Sequence, residues 1–166
     1  MKSMSILESE SVKRVQSALE EACIEARVTA LAATARSAQD AADAIGTDLG
    51  SIVKSLVFLV GRQPVMVLVS GDRRCREETL PKLLNLDGCV RRADAHMVRA
   101  VTGFAIGGVA PVGLKQELPV VIDAGLQRFA AVYAAAGHPH CVFATTVIDL
   151  ARATGGTISE EIAKEA

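Results

Sequence analysis

The chain has 166 residues, half of them apolar and 22% charged, with a formal net charge of −1. That length fits one domain, large enough to bury on the order of 70% of the surface of its unfolded form without disulfide or metal staples. High apolar content and near-zero charge exclude a disordered chain, and a core rich in Ala, Val, Leu and Ile with no Trp excludes an aromatic base-stacking platform.

In chain order, Val12, Val15, Leu19, Ala22, Cys23 and Ala26 share one face of a helix predicted over 10–26, with Glu8 and Glu10 at its dipole-favoured end. A short strand is expected within 27–32. Ser37 and Asp40 form a capping-box pattern, opening a helix that turns Ala38, Ala41, Ala42 and Ile45 inward and stops at Gly46. The runs 52–60 and 64–70, parted by Gly61, Arg62 and Gln63, read as a β-hairpin buried on both faces. A short helix over 77–85 turns Leu80, Leu83 and Leu84 inward, followed by a strand at 89–91 and a helix over 93–101 that ends before Gly103. The stretch 102–113 holds four glycines and one proline yet is apolar, which predicts a buried, shaped loop. A strand at 118–122, an Ala-rich helix over 126–136 closed by Gly137, and a strand at 141–144 come next. Thr146 and Asp149 repeat the capping-box pattern before a helix that stops at Gly155, and the residues after Thr157 read as a short charged helix or a frayed tail. The whole is one α+β domain over 1–166, with its core at about 12–156.

Cys23, Cys75, Cys89 and Cys141 are scattered without a C-x-x-C pair or a histidine at ligand spacing, so neither a disulfide framework nor a metal site is expected. The chain shows no apolar run of the ~18 residues a membrane span needs and no signal-peptide profile, and a cytoplasmic protein is expected. The balanced charge argues against tight nonspecific nucleic-acid binding and any DNA partner, but allows contact with an RNA end through a local basic patch.

Three features carry chemistry. Lys54 lies in an apolar strand; it is either an edge-strand lysine with a solvated head or a cation lining a pocket for an anionic substrate. The glycines of 103–113 either build a tight turn or let backbone N–H groups approach a ligand oxygen; the spacing matches neither a P-loop nor a dinucleotide fingerprint. His138 and His140, expected at a helix end, could move a proton, bind a phosphate or simply complement the helix terminus; His96 has no nearby partner. No Ser-His-Asp order or carboxylate pair is recognisable.

The segments 37–46, 52–58, 68–72, 102–113 and 136–139, in this order, resemble the YbaK/ProX family, relatives of the editing domain inserted in bacterial prolyl-tRNA synthetase. The resemblance runs from about Val12 to Gly156. It implies a curved, mostly antiparallel, partly barrel-like sheet surrounded by helices, and metal-free, cofactor-free hydrolysis of the ester of a misacylated tRNA. Lys54 matches the family's functional lysine, and Ser55 stands where relatives have Ser, Thr or Asn. The run from Gly107 and Gly108 through Ala110, Pro111, Val112 and Gly113 matches the glycine-rich loop, and Gly137-His138-Pro139 the carboxy-terminal glycine motif. Relatives commonly have a second proline at the place of Ala110 and a larger residue at that of Val112.

Such a site would use Gly107 and Gly108 N–H groups for the oxyanion and Lys54 for the terminal phosphate or adenosine. A water or the free ribose hydroxyl would take the proton. Arg73, Arg74, Arg91 and Arg92, with Arg76 and Arg99, would meet the acceptor end, or are ordinary solvated arginines. A small aliphatic pocket favours Ala, Ser, Cys or Thr, with tRNA(Pro) the leading carrier. Two alternatives remain open: a non-catalytic module that binds an aminoacyl or nucleotide end, and a tRNA-independent small-ester hydrolase.

Overall fold

The computed structural model describes residues 6–32 and 35–166. Helix α1 (Glu10–Glu21) buries Val12, Val15 and Leu19. It ends five residues before the predicted limit of 26, because Cys23 takes a left-handed φ of 58°. The apolar pattern nevertheless continues, since Ile24 and Ala26 enter the same core as extended chain.

After β1 (Thr29–Ala30), α2 (Ala38–Ile45) starts at Ser37, whose hydroxyl accepts the Asp40 N–H at 3.1 Å, and ends at left-handed Gly46. The expected hairpin is β2 (Ile52–Val60) and β3 (Gln63–Ser70). Then come β4 (Arg73–Cys75), α3 (Leu80–Leu84), β5 (Val90–Arg92) and α4 (Ala95–Thr102), which is capped by Asp94 and ended by left-handed Gly103. The chain closes with β6 (Val120–Asp123), β7 (Val132–Ala135), β8 (Cys141–Thr145), α5 (Val147–Thr154), β9 (Thr157–Ser159) and β10 (Ala163–Glu165).

The main sheet runs β1-β8-β7-β2-β3-β6-β9, with β5 also on β2; β4 and β10 form a separate pair. Four ladders of the main sheet are antiparallel and three parallel (β2 with β7, β3 with β6, β6 with β9), and the open strand path closes no barrel. Burial on both faces follows from the alternation along β2 and β3. Val53, Val57, Met66 and Leu68 enter the larger core with α1, α4 and α5, while Phe58, Val60, Val65 and Val67 enter a second core with Leu80 and Ile162.

The loop 102–113, expected to be buried, is buried at 109–112 but exposes Ala105, Ile106 and Gly107 at its tip. Two further segments depart from expectation. The segment 126–136 is a 3₁₀ turn (Ala124–Arg128) followed by β7, not a helix. Alanine favours helix, but Val132 and Ala134 alternate with half-buried Tyr133 and Ala135, and ladders to β2 and β8 on either side outweigh the local preference. His138 and His140 therefore sit in the β7–β8 turn, not at a helix end. The tail after Thr157 is neither helical nor frayed: β9 pairs with β6, β10 with β4, and Ile162 is fully buried. Its exposed Glu160, Glu161, Lys164 and Glu165 mask that anchor in the sequence, so the core extends past 156.

Candidate active site

The site lies where β2 loses a neighbour. On one edge β2 pairs with β3 continuously from Val53 to Val60. On the other it pairs with β7 at Ile52 and Val53 and with β5 from Phe58 to Val60, leaving 54–57 without a strand. Among the described residues, the Ala93 N–H reaches in, donating to the Val57 carbonyl at 3.1 Å. Strand alternation turns the backbone N–H and C=O of Ser55 into this breach, and its buried Oγ has no partner among the described residues.

A cavity of about 350 Å³ opens at the breach. Val53, Val57, Val98 and Val109 give it an aliphatic wall; Lys54, Ser55, Gly107, Pro139 and Cys141 also line it, with Arg36 and Arg92 among its charged lining residues. Ile106, 60% exposed, borders it. Burial raises the Cys141 thiol to about 11, which keeps it protonated and a poor nucleophile.

Lys54 stands at the breach, where one edge of β2 is open, but its head is not freely solvated. Its ammonium is half-buried and donates to the Arg73 carbonyl at 2.5 Å. Burial lowers its pKa from the usual 10.5, while Asp123 and Asp72 pull the other way. Beneath it, fully buried Asp123 accepts the Arg73 Nε–H at 3.2 Å, the Ser70 N–H at 3.1 Å and the Gly125 N–H at 2.8 Å.

Within the glycine-rich loop the two central residues differ. Gly107 is exposed at the cavity with a φ of 96°, and its N–H has no partner among the described residues. Gly108 is buried, and its N–H already donates to the Ala105 carbonyl at 3.0 Å. A Cβ on Gly108 would stand 2.9 Å from both Cα and N of His138, so glycine is what lets the loop rest on the β7–β8 turn.

Apart from Arg92, which lines the cavity, the remaining expected residues lie around it rather than in it. Ala110, Pro111 and Val112 are buried, and Pro111, Val112 and Gly113 border the far side of the loop, against α1. Gly137, with a φ of 90°, packs on Ser11, whose hydroxyl donates to its carbonyl at 2.9 Å. His138 Nδ1 accepts the His140 N–H at 3.0 Å, and burial lowers its pKa. Arg91 and Arg92 are exposed on β5, with Arg92 6.0 Å from the Phe58 ring centroid. Arg74 is exposed on β4, and the Arg73 guanidinium is committed to Asp123 and the Ala163 carbonyl.

Sequence reasoning missed Arg36, although its place beside the helix cap Ser37 could have drawn attention. It also missed the Arg128–Asp72 ion pair at 2.7 Å, whose arginine holds the Asp72 carboxyl below the usual range. No group of three or more His, Cys, Asp or Glu among the described residues could hold a metal, and no described helix is long and apolar enough to cross a membrane.

Residues 32–153 match the aminoacyl-tRNA editing domain family. The chain belongs to that family. A solved structure of a candidate trans-editing enzyme for prolyl-tRNA synthetase superposes with a TM-score of 0.87 at 40% identity, covering 95% of this chain and 99% of that one. A candidate Cys-tRNA(Pro)/Cys-tRNA(Cys) deacylase of Enterococcus faecalis is 30% identical over 61% of this chain and 62% of its own length. A proline–tRNA ligase of Desulfovibrio desulfuricans is 39% identical over 56% of this chain, which matches 16% of the ligase. The chemistry of this aminoacyl-tRNA editing domain is the hydrolysis of an aminoacyl ester.

Proposed function

We propose that the protein acts in trans on misacylated tRNA, removing a small amino acid (Ala, Ser, Cys or Thr) from tRNA(Pro) in the cytoplasm. The observation that carries this reading is the cavity at the β2 breach, where an aliphatic wall, a lysine and an unpartnered backbone N–H meet. The wall of Val53, Val57, Val98 and Val109 takes the amino-acid side chain. Discrimination by fit is worth only ~1–3 kcal/mol per methylene, so the pocket works chiefly by excluding larger residues.

In the reaction, water adds to the ester carbonyl, the carbonyl carbon–ribose oxygen bond breaks, and the ribose oxygen leaves with a proton. The Gly107 N–H meets the developing oxyanion. Lys54 holds the terminal phosphate or adenosine and fixes the ester in place. The free ribose hydroxyl or a positioned water takes the proton. Ser55 offers its hydroxyl and backbone edge to the substrate's polar groups. Gly108, Ala110, Pro111, Val112 and Gly113 act through the shape of the loop, and Gly137 and His138 through the backbone surface beneath Gly108. Arg92 and Arg36 at the cavity, with Arg91 and Arg74 further out, meet acceptor-end phosphates. Selection of the tRNA rests on the acceptor end or on an aminoacyl-tRNA synthetase as partner; neither DNA nor a membrane is involved.

The test is a panel of misacylated tRNAs incubated with the pure protein. Ester loss above the spontaneous rate, fastest for small residues on tRNA(Pro), is the expected result. Binding without loss would make the protein a recognition module. Equal hydrolysis of simple esters without tRNA would make it a general esterase.

A further inference from the structure

The glycine-rich loop at the cavity is held from outside the cavity, by α1. Arg14, in the second turn of that helix, donates from Nε to the Gly113 carbonyl at 2.7 Å and from Nη2 to the Thr102 carbonyl at 3.3 Å. These two acceptors are the first and last residues of the loop 102–113. The same guanidinium lies over the Phe104 ring, 4.5 Å from its centroid. One side chain therefore ties both ends of the loop and stacks on the aromatic residue just inside it.

The glycines at the loop ends fit this arrangement. A Cβ on Gly103 would stand 2.5 Å from Arg14 Nη2, and one on Gly113 would stand 3.2 Å from the Arg14 carbonyl oxygen. Both also have left-handed φ, 79° and 74°. Gly103 makes room for the guanidinium and Gly113 for the α1 backbone. One turn earlier, Ser11 holds the Gly137 carbonyl, so α1 braces both the loop and the β7–β8 turn that meet at Gly108.

We infer that Arg14 is a positioning residue for ester hydrolysis, setting where the Gly107 N–H stands at the cavity without touching substrate. This rests on the reading of Gly107 as the oxyanion donor. Its forked donors matter, because a lysine ammonium at the end of a flexible stem reaches one of the two carbonyls but not both.

Arg14→Gln and Arg14→Lys are compared with the wild type in deacylation of misacylated tRNA well below the melting temperature. Arg14→Gln is expected to lower kcat about tenfold or more with KM changed less than twofold. Arg14→Lys should recover most of the melting temperature lost by Arg14→Gln but little of the kcat, and keeps the test open should the glutamine variant fail to fold. Amide hydrogen exchange over 102–113 should quicken in both, at positions a general loss of stability would not single out. A wild-type kcat in folded Arg14→Gln, or full recovery of kcat by Arg14→Lys, would show that Arg14 serves stability alone. Absence of hydrolysis by the wild type would instead remove the functional reading underneath.

Discussion

The two edges of β2 belong to one strand, yet they do different things. The edge toward β3 is paired at eight consecutive positions and is pure framework. The edge toward β7 and β5 is paired at two positions and then at three, and the stretch between them opens the cavity. A continuous ladder saturates backbone donors and acceptors; interrupting it leaves polar backbone next to an apolar wall, where a ligand can use both. The loop 102–113 and the β7–β8 turn cover the opening where a strand would otherwise lie.

The largest effect should come from disturbing that cover. In Gly108→Ala the new methyl would meet His138 backbone at 2.9 Å, and neither side can yield as a flexible side chain would. Misplacing a reacting group by about 1 Å can cost on the order of 100-fold in rate, and overpacking costs roughly 1–3 kcal/mol. Deacylation should fall towards that range, with a lowered melting temperature. Gly107→Ala is the gentler partner: its nearest neighbour would be Pro139 Cγ at 3.6 Å, leaving only the cost of a positive φ, on the order of 1 kcal/mol. Time courses and melts on both variants test this, and equal losses would deny that the loop's seat on the turn matters more than its conformation.

Next in size is Lys54, whose backbone alternation turns toward β3 on the closed edge while the residue itself lines the cavity. A charge-assisted contact is worth roughly 1.5–3 kcal/mol, so Lys54→Ala should slow deacylation at least about tenfold. Lys54→Arg should also fail, because a planar fork does not replace a point charge aimed at one carbonyl. Folding should survive both. Undiminished rates in folded Lys54→Ala would take the residue out of the mechanism.

Much of this geometry could be read from residues, and the failures have a common cause. Local rules found the β2–β3 hairpin and the Ser37 and Thr146 caps with their closing glycines, while the burial expected for 102–113 holds over 109–112 and fails at exposed Ala105, Ile106 and Gly107. The same rules misjudged 126–136 and the tail after Thr157, whose structure is set by partners far away in sequence: β2 and β8 for Val132–Ala135, β6 and β4 for β9 and β10. At the site, Lys54 and Gly107 were legible because each broke a pattern, a charge in an apolar strand and glycine in an apolar run. Arg14 and Arg36 broke none, since arginine on a helix or beside a cap is ordinary. That Gly108 donates within its own turn, leaving the free N–H to Gly107, is a matter of a single peptide's orientation, which no residue pattern encodes.

The arginines give a smaller contrast between the cavity and the surface beyond it. Arg92 lines the cavity, whereas Arg74 lies in the separate two-stranded sheet. Arg92→Ala should raise KM for misacylated tRNA several-fold at low salt and flatten its salt dependence by roughly 0.7–0.9 in log–log slope, the loss of one phosphate contact. Arg74→Ala should do less on both counts. KM measured across a salt series decides it; a steeper effect from Arg74 would move the tRNA path to the β4–β10 side.

The smallest effect concerns stability and pH, and its sign separates a buried lysine from an ion-paired one. Burial is the main influence on Lys54 and lowers its pKa below 10.5, with Asp123 and Asp72 only partly offsetting it. The unfolded chain, with a lysine pKa of about 10.4, then holds this proton to higher pH than the folded chain. Stability linked to Lys54 therefore rises with pH through the window between the lowered pKa and the unfolded value, and is flat well below it, where both states are protonated. In a Lys54→Met variant this rise is missing. Groups remote from Lys54 that titrate near pH 10 cancel in the difference between wild type and variant. The Cys75 thiol, which faces Lys54, is raised by burial to about 11 and ionises mainly above the measured range, and the loss of the bond to the Arg73 carbonyl adds an offset that does not vary with pH. The informative quantity is the slope of that difference, from denaturant midpoints taken between pH 8 and 10.5. The wild type should gain on the variant as pH rises. A wild type that loses ground over the same range would mean that Asp123 and Asp72 raise the Lys54 pKa more than burial lowers it, making the lysine part of an ion-paired framework and weakening its assignment to the substrate.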